Sequence, residues 1–155
     1  MYTDLRSPHF AKMVRAKIPI IAIDDYIGSA KTAIDFVEYY RKLFPAHHSQ
    51  VLVAGLAAME RAISRLDEMK IPICNNLIYK RGISDNQNWT PAQKIQFIAI
   101  MEQTETRIGI GADYRLGYGQ SEALLRMIRT PNNTMPIFWT TRAVSGVPWP
   151  APFPR

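Results

Sequence analysis

Ile20-Ile21-Ala22-Ile23-Asp24-Asp25-Tyr26-Ile27-Gly28-Ser29-Ala30-Lys31-Thr32 sets the reading of this chain. The apolar run that opens it, together with Ile18 before Pro19, suits one buried strand. Proline has no N–H, which places Pro19 at the start of that strand or on a sheet edge. Two adjacent acids end the apolar run, and a loop over 24–32 leads into a helical pattern. In that helix Ile34, Val37, Tyr40 and Phe44 share a face while Glu38, Arg41 and Lys42 lie elsewhere. Pro45 blocks its continuation.

The same alternation continues downstream. Residues 51–56, VLVAGL, read as a second buried strand, and Met59, Ala62, Ile63, Leu66 and Met69 recur at helical spacing. Residues 71–74 and 77–79 suggest a third, interrupted strand. Strand, helix, strand, helix, strand with short links is the sequence form of two right-handed crossovers in a parallel sheet. The expected class is α/β, a parallel twisted sheet flanked by helices.

Further on, Thr90-Pro91-Ala92-Gln93 has the form of a capping box with proline at the first helical position. It starts a helix through Ile95, Phe97, Ile98 and Met101. Residues 109–119 read as a long adaptable loop, 123–128 as compatible with strand or helix, and 130–134 as a turn cluster. Pro148, Pro150, Pro152 and Pro154 make regular structure over 147–155 unexpected, with Trp149 and Phe153 as its anchors. At 155 residues the chain fits one domain, 1–155, whose proline-rich tail over 140–155 packs on the surface.

Composition narrows the function classes. Apolar residues make up 47% and charged residues 21%, which excludes wholesale disorder. Nineteen Lys and Arg against thirteen Asp and Glu give +6, favouring an anionic partner such as nucleic acid or a phosphorylated ligand. Cys74 is the only cysteine, so no internal disulfide forms and a reducing, cytoplasmic location is expected. Cys74 sits in an apolar run and reads as buried and inert. No stretch is apolar enough to span a bilayer, so no membrane partner is expected.

The 20–32 segment carries the chemistry. In parallel α/β folds ligands sit outside the carboxyl ends of strands. A loop running into a helix N-terminus presents free N–H groups and the positive dipole end, both suited to phosphate. Ser29 and Thr32 add hydroxyls there, and the same groups would cap the helix without any ligand. Lys31 adds a cation. Asp24 and Asp25 can accept hydrogen bonds from sugar hydroxyls or hold Mg²⁺ through water, and no other metal is expected. His47 and His48 read as loop residues rather than a metal site. Tyr114, Arg115 and Tyr118 combine aromatics with arginine in the 109–119 loop, a pattern able to stack on bases. Trp139, Trp149 and Phe153 read as packing anchors, and Asn132-Asn133 as turn formers.

The 20–32 string resembles the phosphoribosyl-diphosphate motif of type I phosphoribosyltransferases, where apolar residues, two acids and a Thr/Ser-Gly-Gly-Thr-like loop bind ribose 5-phosphate. The resemblance implies a phosphoribosyltransferase-like, Rossmann-like core. In it Asp24 and Asp25 are the catalytic pair facing the ribose, and Gly28, Ser29, Ala30, Lys31 and Thr32 cup the phosphate. It implies phosphoribosyl diphosphate or a nucleotide as ligand and Mg²⁺ as cofactor. Ala30 and Lys31 stand where that loop has glycines, which removes backbone freedom where the phosphate approaches.

Only 19 residues precede the strand, whereas type I enzymes carry a hood and a diphosphate loop there. The core is thus expected to be N-terminally short, with retention of catalysis left open: either the chain binds a nucleotide-like ligand without the full reaction, or another chain supplies the missing half. Gly117-Tyr118-Gly119, Ala123-Leu124-Leu125, the 130–139 stretch and the 149–155 end look like the close of phosphoribosyltransferase-like proteins from antiphage loci, some of them retron effectors. That resemblance implies an effector or accessory subunit of a defence complex, beside other subunits that include a reverse transcriptase with its DNA–RNA product. The alternative is a non-catalytic binding module that docks nucleic acid or a partner protein.

Overall fold

Ser7-Pro8 starts the first element, a short helix that is not among the expected elements although Phe10, Met13 and Val14 recur at helical spacing. The Phe10 N–H donates to Ser7 Oγ (3.2 Å), which caps α1 (Pro8–Arg15), and proline occupies its first turn. This is a computed structural model that describes residues 5–125 and 130–154. The chain divides into two compact units, Met1–Ile78 and Tyr79–Arg155.

The first unit continues with β1 (Ile20–Ile27), α2 (Lys31–Leu43), β2 (Val51–Met59), α3 (Glu60–Glu68) and β3 (Ile73–Tyr79). The strands form a parallel sheet in the order β1-β2-β3, with β1 and β2 in register from Ile20 opposite Val51 to Ile27 opposite Ala58. The expected α/β class is what forms. Pro19 lies just before β1, and β1 is an edge strand, both as its missing N–H requires.

β1 runs four residues beyond its expected end. Asp24, Asp25, Tyr26 and Ile27 are strand and not loop, because pairing with β2 supplies backbone partners past the end of the apolar run. β2 likewise extends to Met59, and α3 begins at the next residue. β3 is continuous rather than interrupted. His47 and His48 lie in a short 3₁₀ segment, Pro45–Gln50.

Only the C-terminal ends of β1 and β2 are buried on both faces, where Ile27 and Ala58 are covered as well as Tyr26 and Ala57; the rest of each strand is buried on one face. Side chains alternate across a strand, so Ile20, Tyr26, Val51, Val53, Ala57 and Met59 are buried while Ile21, Ile23 and Leu56 point the other way and are exposed. Ile23 is 82% exposed. Two successive right-handed crossovers that advance in one direction put α2 and α3 on the same face. The second face of this sheet is left without them. Cys74, expected to be buried, is exposed because β3 is the opposite edge strand, with Leu77 and Ile78 also open.

The buried layer includes Ile34, Val37 and Tyr40 of α2, the expected stripe, and Ala62 and Leu66 of α3. Tyr40 packs against Phe10 and Phe44, with ring centroids 6.4 and 5.4 Å away. Arg41 reaches from α2 to the Met69 and Lys70 carbonyls (3.5 and 3.3 Å), satisfying acceptors at the end of α3. α1 and α3 both end in a Schellman motif. In the second, the Lys70 N–H donates to Asp67 O and the Ile71 N–H to Leu66 O (2.8 and 2.9 Å). The left-handed residue is a lysine in each, Lys17 (φ 58°) and Lys70 (φ 54°), where glycine would be unstrained.

The second unit has little regular structure beyond α4 (Pro91–Arg107). Its capping box forms as expected: Gln93 N–H donates to Thr90 Oγ1 (3.3 Å) and Thr90 N–H to Gln93 Oε1 (2.9 Å). Ile98 and Met101 of α4 pack on a cluster of Ile83, Leu116 and Met135, while Ile95 is 70% exposed.

Two buried carboxylates organise the chain around α4. Glu105 accepts from the Leu116 and Ile137 N–H groups (2.6 and 3.3 Å). Glu122 accepts from the Ile83 and Ser84 N–H groups (3.0 and 2.6 Å) and from Ser84 Oγ (2.6 Å). The 109–119 segment, expected to be adaptable, is therefore pinned through Leu116. Its Gly117 is required, since a Cβ there would lie 1.9 Å from Asn133 O.

Asn132 and Asn133 do form a turn, and they also tie down this segment through Tyr118, whose N–H donates to Asn132 O (2.9 Å). The 123–128 run lies partly outside the described residues; Ala123 forms an isolated bridge with Thr134. The tail has more order than its prolines suggest. β4 (Ala143–Val144) and β5 (Val147–Pro148) make a small hairpin whose turn residues, Ser145 and Gly146, both have positive φ. Trp149 and Phe153 anchor the tail beyond β5: Trp149 Nε1 donates to Ile137 O (2.7 Å) and Phe153 N–H to Phe138 O (2.8 Å). No helix among the described residues is long and apolar enough to cross a membrane.

Candidate functional site at the end of the first strand

Pairing with β2 carries Asp24 and Asp25 into the ladder, Asp24 opposite Gly55, and leaves both side chains exposed. The Asp25 N–H donates to Asp24 Oδ1 (3.0 Å). Partial burial raises the Asp24 carboxyl above its ordinary value, and the Asp25 side chain raises it further by hydrogen bonding and like charge. The pair is thus a concentration of negative charge that a cation or sugar hydroxyls would relieve.

Tyr26, Ile27 and Gly28 are buried, and only 28–30 separate the strand from the helix. Ala30 is the N-cap of α2 at φ 60°, ψ 0°, a left-handed conformation that costs an L-residue roughly 1–2 kcal/mol. The backbone shape expected of glycine is therefore present without the glycine. Ala30 offers no side-chain cap to the first turn. Its carbonyl accepts from the Ile34 N–H (2.9 Å), and Ser29 Oγ lies 3.4 Å from the Lys31 N–H. By helix geometry the Thr32 and Ala33 N–H groups have no intrahelical acceptor. Thr32 is exposed beside them.

Lys31 Nζ pairs with Asp35 (2.6 Å), one turn along the same helix and well exposed. Such a pair is worth about 0.3–0.5 kcal/mol, so it is exchanged for another anion at little cost. Gly28, Ser29, Ala30, Lys31 and Thr32 are thus gathered around the start of α2, immediately after the acid pair on β1.

Arg65 is a neighbour of this loop that the sequence pattern does not single out. It projects from α3, and its Nη1 donates to Ser29 O at 3.2 Å. Apart from its position off the apolar stripe, nothing in the spacing announces this, since 36 residues separate the partners.

The tyrosine–arginine candidates belong to the second unit. Tyr114 is exposed and its ring packs on Tyr118, centroids 5.5 Å apart at 47°. Arg115 Nε donates to Ile110 O (3.3 Å), and its charge draws the Glu105 carboxyl down against the larger upward push of burial. Among the described residues no group of three or more His, Cys, Asp or Glu side chains is placed to hold a metal ion alone. Asp24 and Asp25 suit Mg²⁺ completed by water and ligand oxygens, since that ion is bound through one or two carboxylates plus substrate phosphates.

Compared with known proteins, the chain matches one family model, described as PRTase-CE, over residues 5–155. No curated protein and no solved structure matches it.

Proposed function

Because the chain belongs to the PRTase-CE family, which is phosphoribosyltransferase-like, we propose that it binds the ribose 5-phosphate part of phosphoribosyl diphosphate or of a nucleotide at the start of α2. The observation that carries this reading is a strand bearing Asp24 and Asp25 with, three residues beyond its end, a helix N-terminus whose N-cap residue, Ala30, offers no side-chain acceptor. The phosphate accepts from first-turn N–H groups, with the Ser29 and Thr32 hydroxyls beside it and the helix dipole favouring its charge. Asp24 and Asp25 accept from the ribose hydroxyls. Asp24 and Asp25 would hold Mg²⁺, which would offset the charge of the diphosphate. In the further reading the chain is an effector or accessory subunit of an antiphage system, working beside other subunits; this rests on the resemblance of its 117–119, 123–125, 130–139 and 149–155 stretches to such proteins.

Calorimetric titration with phosphoribosyl diphosphate and Mg²⁺ tests the binding site. Saturable binding that disappears in the Asp24→Asn/Asp25→Asn variant, with folding retained, is the expected result. Absence of binding by the folded wild-type chain refutes it.

A further inference from the structure

We propose that Arg65 is the positioning residue of the phosphate loop, turning the Ser29–Ala30 peptide so that its N–H faces the incoming anion; this rests on the reading of that loop as a ribose-phosphate site. Arg65 Nη1 donates to Ser29 O at 3.2 Å. The carbonyl of Ser29 and the N–H of Ala30 belong to one planar, trans peptide, so they point in opposite directions. Fixing the oxygen toward α3 therefore fixes the N–H away from it. It also keeps a negative carbonyl end from the anion. A guanidinium on the oxygen polarises the whole peptide and makes its N–H a stronger donor.

The loop needs such an anchor. Ala30 sits at φ 60° with a buried methyl group, a conformation that an alanine does not hold by its own preference. Arg65 is well placed to supply it, because the neighbouring Leu66 is fully buried and the end of α3 is capped by Arg41. The other cation at the loop, Lys31, is paired with Asp35 along its own helix. An arginine on a second element thus does from outside the loop what glycines would allow from within it.

The test compares wild type with Arg65→Ala, Arg65→Gln and Arg65→Lys by two readouts. The first is calorimetric titration with ribose 5-phosphate, and with phosphoribosyl diphosphate plus Mg²⁺. The second is the ¹H–¹⁵N spectrum of the ligand-free protein. Arg65 is exposed, so the variants keep the wild-type melting temperature to within a few degrees. Binding of both phosphates is expected to weaken about tenfold in Arg65→Ala, the effect of one charge-assisted hydrogen bond. Arg65→Lys recovers part of the loss and Arg65→Gln less. In the ligand-free spectrum the Ala30 amide moves upfield in Arg65→Ala as its polarisation is lost.

Binding by Arg65→Ala within twofold of a wild type that does bind overturns the proposal while leaving the site reading intact. An unmoved Ala30 amide overturns it whatever the titration gives. A folded wild type that binds neither phosphate sinks the ribose-phosphate reading, and with it any role for Arg65 in binding.

Discussion

Glu105→Ala removes the carboxylate that the Leu116 and Ile137 amides share. Glu105 is fully buried and accepts from Leu116 N–H at 2.6 Å and Ile137 N–H at 3.3 Å. The buried Leu116 amide and the half-buried Ile137 amide, left without an acceptor, cost up to about 1–3 kcal/mol each, and the one lost methylene adds about 0.8 kcal/mol. Relief of the desolvated charge offsets part of this, so a net loss of about 2–5 kcal/mol is expected. Glu105→Gln keeps the volume and one acceptor, which limits the loss to about 1–3 kcal/mol.

The glutamine variant also carries a pH signature. Burial raises the Glu105 carboxyl above 4.5, only partly opposed by the two amides and Arg115. A folded value above the unfolded one means that this group contributes most below about pH 4.5, and the contribution is lost as pH rises through the folded value. The deficit of Glu105→Gln relative to wild type is therefore largest at acid pH and shrinks toward neutrality. Urea unfolding between about pH 4 and 7, monitored by Trp fluorescence, measures it. A Glu105→Ala loss below about 1 kcal/mol, or a glutamine deficit that grows with pH, refutes the reasoning.

The remaining predictions concern strain, exposure and the acid pair. Lys70→Gly relieves a left-handed lysine at the Schellman end of α3 and is expected to stabilise by about 0.5–1 kcal/mol in urea unfolding, the strain of about 1–2 kcal/mol being partly offset by glycine's chain entropy. Gly117→Ala places a Cβ 1.9 Å from Asn133 O at φ 83° and should cost roughly 3 kcal/mol or more, read by the same method. Ile23→Thr, on the open face of the sheet, should change stability by less than about 0.5 kcal/mol; a loss above about 1 kcal/mol would mean that this face is covered. Asp24 has a carboxyl raised by burial and by Asp25, so its contribution to stability is present at acid pH and lost as pH rises through its folded value. Asp24→Asn should accordingly melt no lower than wild type at neutral pH while losing affinity for phosphoribosyl diphosphate, and a lower melting temperature would contradict the sign.

Much of the fold is legible in local chemistry. Pro45, the stripe of Ile34, Val37 and Tyr40, and the Thr90-Pro91-Ala92-Gln93 box act through near neighbours, so their effect is written into consecutive residues. The extent of β1 is not legible that way, because Asp24 and Asp25 become strand only when β2 supplies hydrogen-bond partners. Cys74 departs from expectation for a related reason: an apolar run looks the same on an edge strand as in the centre of a sheet. α1 carries its own local signal, a serine cap next to a proline with Phe10, Met13 and Val14 at helical spacing, but over only eight residues such a pattern fixes little until Phe10 and Val14 find a core to pack against.

The candidate site divides along the same line. The sequence by itself determined the order of apolar strand, acid pair, hydroxyl loop and helix start, because these are adjacent in the chain and their roles come from side-chain type and backbone preference. Only the tertiary structure decided that Ala30 is left-handed without being glycine, that Arg65 reaches Ser29, and that Glu105 and Glu122 are buried beneath amides distant in sequence. A charged side chain reads as solvated until the returning chain brings it an acceptor or a donor, and a hydrogen bond spanning 36 residues depends on the crossover through β2 and not on any local pattern.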